Sequence, residues 1–219
     1  SASLDVRKGD SEQVDYSASA RVQRRTSRTR FFSDYQGIFN QTEGIETSNS
    51  HRVNSYFDIF HTRNFFWRPL FGEYFRDPFS NIKDSITVGC GVGYHFINTS
   101  KSELVFSPGL AYQHTTNVSV ETGQDKDNST PVLTVNTRYD TELTKRTDFN
   151  ALYKFNVVNQ ESGRYTHNAK VALEFELTKR LDLDFSFVWD RIQEPKADED
   201  GEVPAQDDFY FFCGIGFEL

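Results

Sequence analysis

Large apolar residues recur at every second position along most of this chain, a spacing that predicts β-strands rather than helices. From Ser85 to Asn98, SITVGCGVGYHFIN, residues Ile86, Val88, Cys90, Val92, Tyr94 and Phe96 share one parity. The other parity holds Thr87, Gly89, Gly91, Gly93, His95 and Ile97, a face nearly bare of side chains. Comparable series run through Leu4 and Val6, Val14 to Val22, Phe31 to Phe39, Val53 to Ile59, and Phe65, Trp67, Pro69, Phe71 and Phe75. They continue through Leu104 to Tyr112, Leu133 to Leu143, Phe149 to Val157, Tyr165 to Leu177, Leu181 to Trp189 and Phe209 to Leu219. No convincing helical stripe interrupts them. The pattern predicts about twelve strands, an even number that brings both ends of a single-chain barrel to one side.

The intervening positions carry charge. Arg138, Asp140 and Glu142, Asp148 and Lys154, Lys170, Glu174 and Glu176, and Asp182, Asp184 and Asp190 fall opposite the apolar series, as does His95. Earlier strands add Asp15 and Arg21, Arg30 and Asp34, Arg52 and Asp58, and Arg68 and Arg76. Such alternation fits a soluble sandwich or barrel with the apolar face inward. It fits equally a transmembrane barrel whose apolar face meets lipid and whose charged face lines the lumen.

Connection lengths favour the membrane barrel. Short turns are expected near 25–28, 62–64, 98–101, 145–146 and 178–180, alternating strictly with longer polar segments near 41–50, 77–83, 121–130, 160–163 and 193–207. Short turns on one side, long loops on the other and strands of roughly ten residues or more are how a tilted outer-membrane barrel is built. Tyr16, Phe65, Trp67, Tyr112, Tyr165 and Trp189, near strand ends, suit the interfacial girdles. The glycines of 85–98 then face inward, making room for long side chains from neighbouring strands.

Composition narrows the choice. Only 37% of the 219 residues are hydrophobic and mean hydropathy is -0.62, yet there are 21 Phe, 10 Tyr and 2 Trp. The apolar runs fall far short of the roughly 20 residues of a transmembrane helix. With 24 Lys+Arg against 32 Asp+Glu, a net charge of -8 and no basic–aromatic cluster, no nucleic-acid partner is expected. Cys90 and Cys213 lie inside alternating apolar runs and read as small buried or lipid-facing hydrophobes rather than a disulfide. Nothing resembles an interdomain linker, so one domain over 1–219 is expected. The chain begins at Ser1 without a leader-like segment and lacks Met, as expected of a trimmed or mature product.

Candidate chemistry is sparse. His95 is the lumen-side histidine with neighbours, but no GxSxG is present and no catalytic residue is expected. Asp198, Asp200 and Gly201, and Asp125, Asp127 and Asn128, make oxygen-rich loops that do not complete a calcium-loop pattern. No metal and no cofactor are expected.

Three blocks carry a family resemblance: YFRDPFSNIKDSITVGCGVGYHFINT, SPGLAY at Ser107 to Tyr112, and LDLDFSFVWDRIQEP followed by an acidic loop and QDDFYFFCGIGFEL. They resemble the salt-induced outer membrane proteins of the YdiY-like group, over nearly the whole chain and most closely from Tyr74 onward. The resemblance implies an outer-membrane β-barrel of a Gram-negative-type envelope and supplies no catalytic residues. The ending FFCGIGFEL is also close to the terminal-strand signal of outer-membrane proteins, with Leu219 where a final aromatic is usual.

The expectation is an all-β protein, a single antiparallel transmembrane β-barrel of about twelve strands in the bacterial outer membrane, surrounded by lipid and lipid headgroups. Its expected function is a narrow passive channel for ions or small solutes. Glu174, Glu176, Asp182 and Asp184 flank one short turn and Glu142 and Asp148 the turn before it, giving a mouth that weakly prefers cations. The alternative is a filled structural or interaction barrel that anchors a protein partner in the envelope. A soluble ligand-binding barrel and an embedded hydrolase around His95 stand behind both.

Overall fold

In the computed structural model of the chain, the first six strands are β1 (Ala2–Arg7), β2 (Gln13–Arg25), β3 (Thr29–Thr42), β4 (Ile45–Phe60), β5 (Phe65–Asp77) and β6 (Ile82–Asn98). The second six are β7 (Ser102–Asn117), β8 (Asp127–Thr144), β9 (Thr147–Val157), β10 (Tyr165–Thr178), β11 (Leu181–Ile192) and β12 (Asp207–Phe217). The structure describes the backbone of residues 2–7, 13–42, 44–178 and 181–217, and the side chains of 18–41, 44–160, 162–178 and 181–215. The expected turn near 178–180 lies mostly outside the described residues, as does the terminal pair Glu218 and Leu219. The side chains of Asp15 and Tyr16 lie outside them too.

Each strand pairs antiparallel with its sequence neighbour, and β1 closes the ring onto β12 through Ala2 opposite Ile215. Closure removes the unpaired edges that an open sheet would present. The start of β1 at Ala2 and the end of β12 at Phe217 fall on the side of the connections 26–28, 61–64, 99–101 and 145–146. The opposite side carries a short 3-10 turn at Pro78–Ser80 and the longer connections 118–126, 158–164 and 193–206. The expected strict alternation fails at two places: β4 already begins at Ile45, so the segment expected as a loop over 41–50 is mostly strand, and the connection 78–81 is no longer than 61–64 on the opposite side.

The apolar parity faces outward. Phe96, Leu110 and Phe211 are 65%, 67% and 70% exposed, whereas Phe66 and His95 are fully buried inside. Outward rings gather in two bands. Towards the short turns lie Phe65–Trp67 (5.8 Å), Tyr94–Phe96 (5.2 Å) and Phe175–Phe185 (6.0 Å). Towards the long loops lie Phe155–Tyr165 (6.0 Å), His167–Trp189 (5.6 Å) and Trp189–Phe209 (6.5 Å). Cys90 and Cys213 are free thiols on this outer face.

On β6 the glycines point inward, and a methyl built on Gly93 would overlap the Phe66 ring, one on Gly89 the Phe71 ring. Glycine makes room there for aromatic rings reaching in from β5. The registry of β5 itself corrects the expectation. Pairing with β6 shifts between Arg68 and Phe71, leaving Pro69 and Leu70 both exposed. An extra residue in one strand inverts every later side chain. Phe71, which the alternation puts outside, is therefore buried, and Phe75 lies inside beneath the Arg52 guanidinium. Arg76 correspondingly leaves the lumen side. A similar shift after His95 turns Ile97 outward, 37% exposed.

Candidate functional site

The lumen is layered along the barrel axis. Nearest the short turns, one wall is a cluster of charge and rings with a dry centre at Arg30, Asp58 and His95. Asp58 on β4 receives Arg30 Nε at 2.9 Å and Arg68 Nε at 2.7 Å, and the Arg30 and Asp58 side chains are fully buried. Glu103 on β7 accepts from Arg30 at 2.7 Å, Arg25 at 3.0 Å, Arg138 at 3.2 Å and His95 Nε2 at 2.9 Å. The other His95 ring nitrogen sits 3.1 Å from the Asn64 carbonyl, so both ring nitrogens are engaged and brace the ring. Guanidinium groups stack on the rings of Tyr56 (Arg68, 3.8 Å) and Phe66 (Arg30, 5.2 Å), which replaces part of the hydration they lose.

Beside this cluster lies a chamber of about 590 Å³, lined in part by Arg21, Asp34, Ser107, Asn136 and Lys170 and reaching the Thr99–Ser102 turn. Its far wall is acidic. Strand pairing sets Glu142 opposite Asp148, Asp148 opposite Glu174, and Glu174 opposite Asp184, a continuous carboxylate row across β8 to β11. Lys101 approaches Glu142 at 3.8 Å, while Asp148, Glu174 and Asp184 form no ion pair with a described residue. Like charges directly opposite on neighbouring strands destabilise a sheet.

Further along, side chains from opposed walls meet and divide the lumen. Arg52 on β4 donates to Asp190 on β11 at 2.8 Å and to Glu73 on β5 at 3.4 Å. Lys154 on β9 donates to Glu73 as well, and Asn168 on β10 donates to Asp190 at 2.8 Å. Beyond this septum lies a smaller vestibule of about 70 Å³ whose lining is rich in amides and hydroxyls, including Gln113, Asn117, Asn156 and Ser162.

At the long-loop mouth two connections are joined by a staple. Asn81, left-handed at φ 58°, follows the 3-10 turn capped by Asp77 and donates to the carbonyls of Ser119 (3.0 Å), Lys196 (3.1 Å) and Ala197 (3.2 Å). One side chain thus ties the 118–126 and 193–206 connections together. Asn81→Gly removes these bonds without straining the backbone. It is expected to raise protease cleavage within those two connections while the strands stay resistant, as a peptide map would show; unchanged cleavage would mean the staple does not hold the mouth.

Of the residues expected to line a lumen, Arg138, Asp140, Glu142, Asp148, Lys154, Lys170 and Glu174 border the chamber, and Asp190 borders the vestibule. Asp184 extends the carboxylate row, Glu176 lies opposite Asp182 near the short-turn end, and His95 is sealed into the dry cluster. Sequence reasoning missed Glu103 and Glu73. Glu103 has the inward parity of β7 and was one residue beyond the predicted strand start; the β5 bulge conceals Glu73, placing it on the wrong parity. Among the described residues, no group of three or more His, Cys, Asp or Glu is placed to hold a metal ion.

The chain is similar over 99% of its length to the whole of a solved NanC porin, with 10% identity and a TM-score of 0.56, a likeness of fold. A Pseudomonas aeruginosa FadL homologue matches 95% of this chain and 66% of its own, with 8% identity and a TM-score of 0.49. No curated protein matches the chain. The family model described as a protein of unknown function, DUF481, matches residues 1–217, and the chain belongs to that family.

Proposed function

We propose that this protein is a barrel of the bacterial outer membrane forming a narrow passive channel for ions or small charged solutes, with the short turns on the periplasmic side. The outward apolar belt between two aromatic bands supports the membrane setting, because such rings settle at the two lipid–water interfaces. The observation that carries the channel reading is the chamber of about 590 Å³ with its row of four carboxylates, of which only Glu142 has an ion-pair partner among the described residues. A barrel kept only as a scaffold has no use for like charges held in a costly row. A channel does, since a confined anionic wall concentrates cations and repels anions.

Conductance of the refolded protein in a planar bilayer tests this, with a reversal potential taken in a salt gradient. Discrete cation-preferring steps are expected. Combining Glu142→Gln, Asp148→Asn, Glu174→Gln and Asp184→Asn should abolish the preference. The same change should stabilise the barrel, by roughly 0.2–1 kcal/mol per relieved pair. Unaltered selectivity in a conducting, folded variant would reject the row as the selective element.

A filled structural barrel that holds a partner in the envelope is the second reading, favoured by the dry ion pairs around Asp58. It expects no conductance and a partner that co-purifies. The resemblance to salt-induced proteins fits an osmotic role under either reading.

A further inference from the structure

We propose that the septum of Arg52, Glu73, Lys154 and Asp190 is the gate of this passage, with Arg52 as its latch. The inference rests on the channel reading and concerns what limits flow through it. Strands β4 and β11 are not neighbours in the ring, so the Arg52–Asp190 bond spans the lumen instead of running along a wall. The guanidinium lies 4.1 Å from the centre of the Phe75 ring, a flat support that holds it across the opening.

Both sides of this layer can hold water. The chamber lies towards the short turns, and in the vestibule Asn156 Oδ1 and Ser162 Oγ are buried without a hydrogen-bond partner among the described residues. Buried oxygens of that kind are satisfied by water, and a polar cavity of about 70 Å³ has room for it. The septum is therefore a barrier one side-chain layer thick between two polar compartments. Its four side chains are 8–17% exposed, so each keeps a little contact with the compartments on either side. Ion pairs that retain some water exchange partners more cheaply than fully dry ones.

Arg52 also has an alternative arrangement ready. If it swings from Asp190 it keeps Glu73, while Asn168 still holds Asp190 at 2.8 Å. Opening thus breaks one bridge and leaves each carboxylate a hydrogen-bond donor. Lys154 stays on Glu73 throughout, which marks it as a wall residue and Arg52 as the moving part.

The test compares wild type, Arg52→Ala and Arg52→Lys by single-channel conductance, with heat-modifiable migration confirming that each barrel is folded. Arg52→Ala should raise conductance several-fold and strengthen cation preference, since Glu73 and Asp190 then face the passage without it. Arg52→Lys keeps the charge but loses the two-pronged reach and should fall between. If wild type and Arg52→Ala conduct alike, the gate is overturned and the channel reading survives. If both are folded and silent, the gate and the channel reading fall together. Should Arg52→Ala not yield a folded barrel, Asp190→Asn replaces it, with higher conductance but no gain in cation preference expected, and unchanged conductance again overturning the gate.

Discussion

Asp58→Ala is expected to destabilise the barrel by about 3–5 kcal/mol, because it leaves two buried guanidinium groups facing one another without their shared carboxylate. Arg30 and Arg68 both bind Asp58, at 2.8 and 2.7 Å, and the three side chains are 0%, 8% and 0% exposed. Neither arginine can neutralise itself by losing a proton, so the cost falls on the fold. The urea midpoint of the refolded protein, read by heat-modifiable migration, measures it. A loss under about 1 kcal/mol would show that water reaches the cluster and that it is not dry. Asp58→Asn separates charge from hydrogen bonding: its amide oxygen still accepts, yet the variant is expected to lie closer to alanine than to wild type. The combination of Arg30→Met, Asp58→Leu and Arg68→Met should fold about as well as wild type, because apolar groups of similar volume need no pairing. That result would mean that the cluster positions the wall and does not supply net stability.

The second large effect concerns the inner face of β6. Gly93→Ala places a methyl inside the Phe66 ring, and since Phe66 is fully buried, overpacking should cost about 1–3 kcal/mol. Phe66→Leu removes the offending ring edge. In that background Gly93→Ala should cost far less, with a coupling of roughly 1 kcal/mol or more across the double-mutant cycle. Gly91→Ala is the contrast, because its methyl would overlap the Pro108 carbonyl and approach the Gly109 Cα at 2.9 Å, both backbone of β7. No side-chain change relieves a backbone clash, so Phe66→Leu should leave its cost unaltered. Equal rescue of the two glycines would show that β6 shifts as a whole and that neither contact is specific.

These variants also separate what is local in this fold from what is not. Strand number, the outward parity of β6 to β8 and of β10 to β12, and the bare inner face of β6 were legible from alternation alone, since a period of two is a property of each strand by itself. The cavity behind the glycines was legible too, but its occupant was not. Phe66 reaches Gly93 only because β5 pairs with β6 in one particular register. The same limit explains β5, where Phe71 and Phe75 read as outward and lie inside. Alternation assumes one residue per pleat, and the bulge at Pro69 and Leu70 breaks that count without a periodic signature.

For the candidate site the division is sharper. The sequence by itself determined that charged side chains share the inner face, and that carboxylates such as Glu142, Asp148, Glu174 and Asp184 gather at one end, because turns place their flanking residues side by side. Only the tertiary structure decided which charges meet. Glu103 gathers partners from β2, β3, β6 and β8, and Arg52 finds Asp190 at a separation of 138 residues. Such pairs depend on ring closure and on the direction in which long side chains cross a lumen. Neither is encoded in the spacing of residues along one strand, so dry cluster, chamber and septum emerge only once the twelve strands have closed.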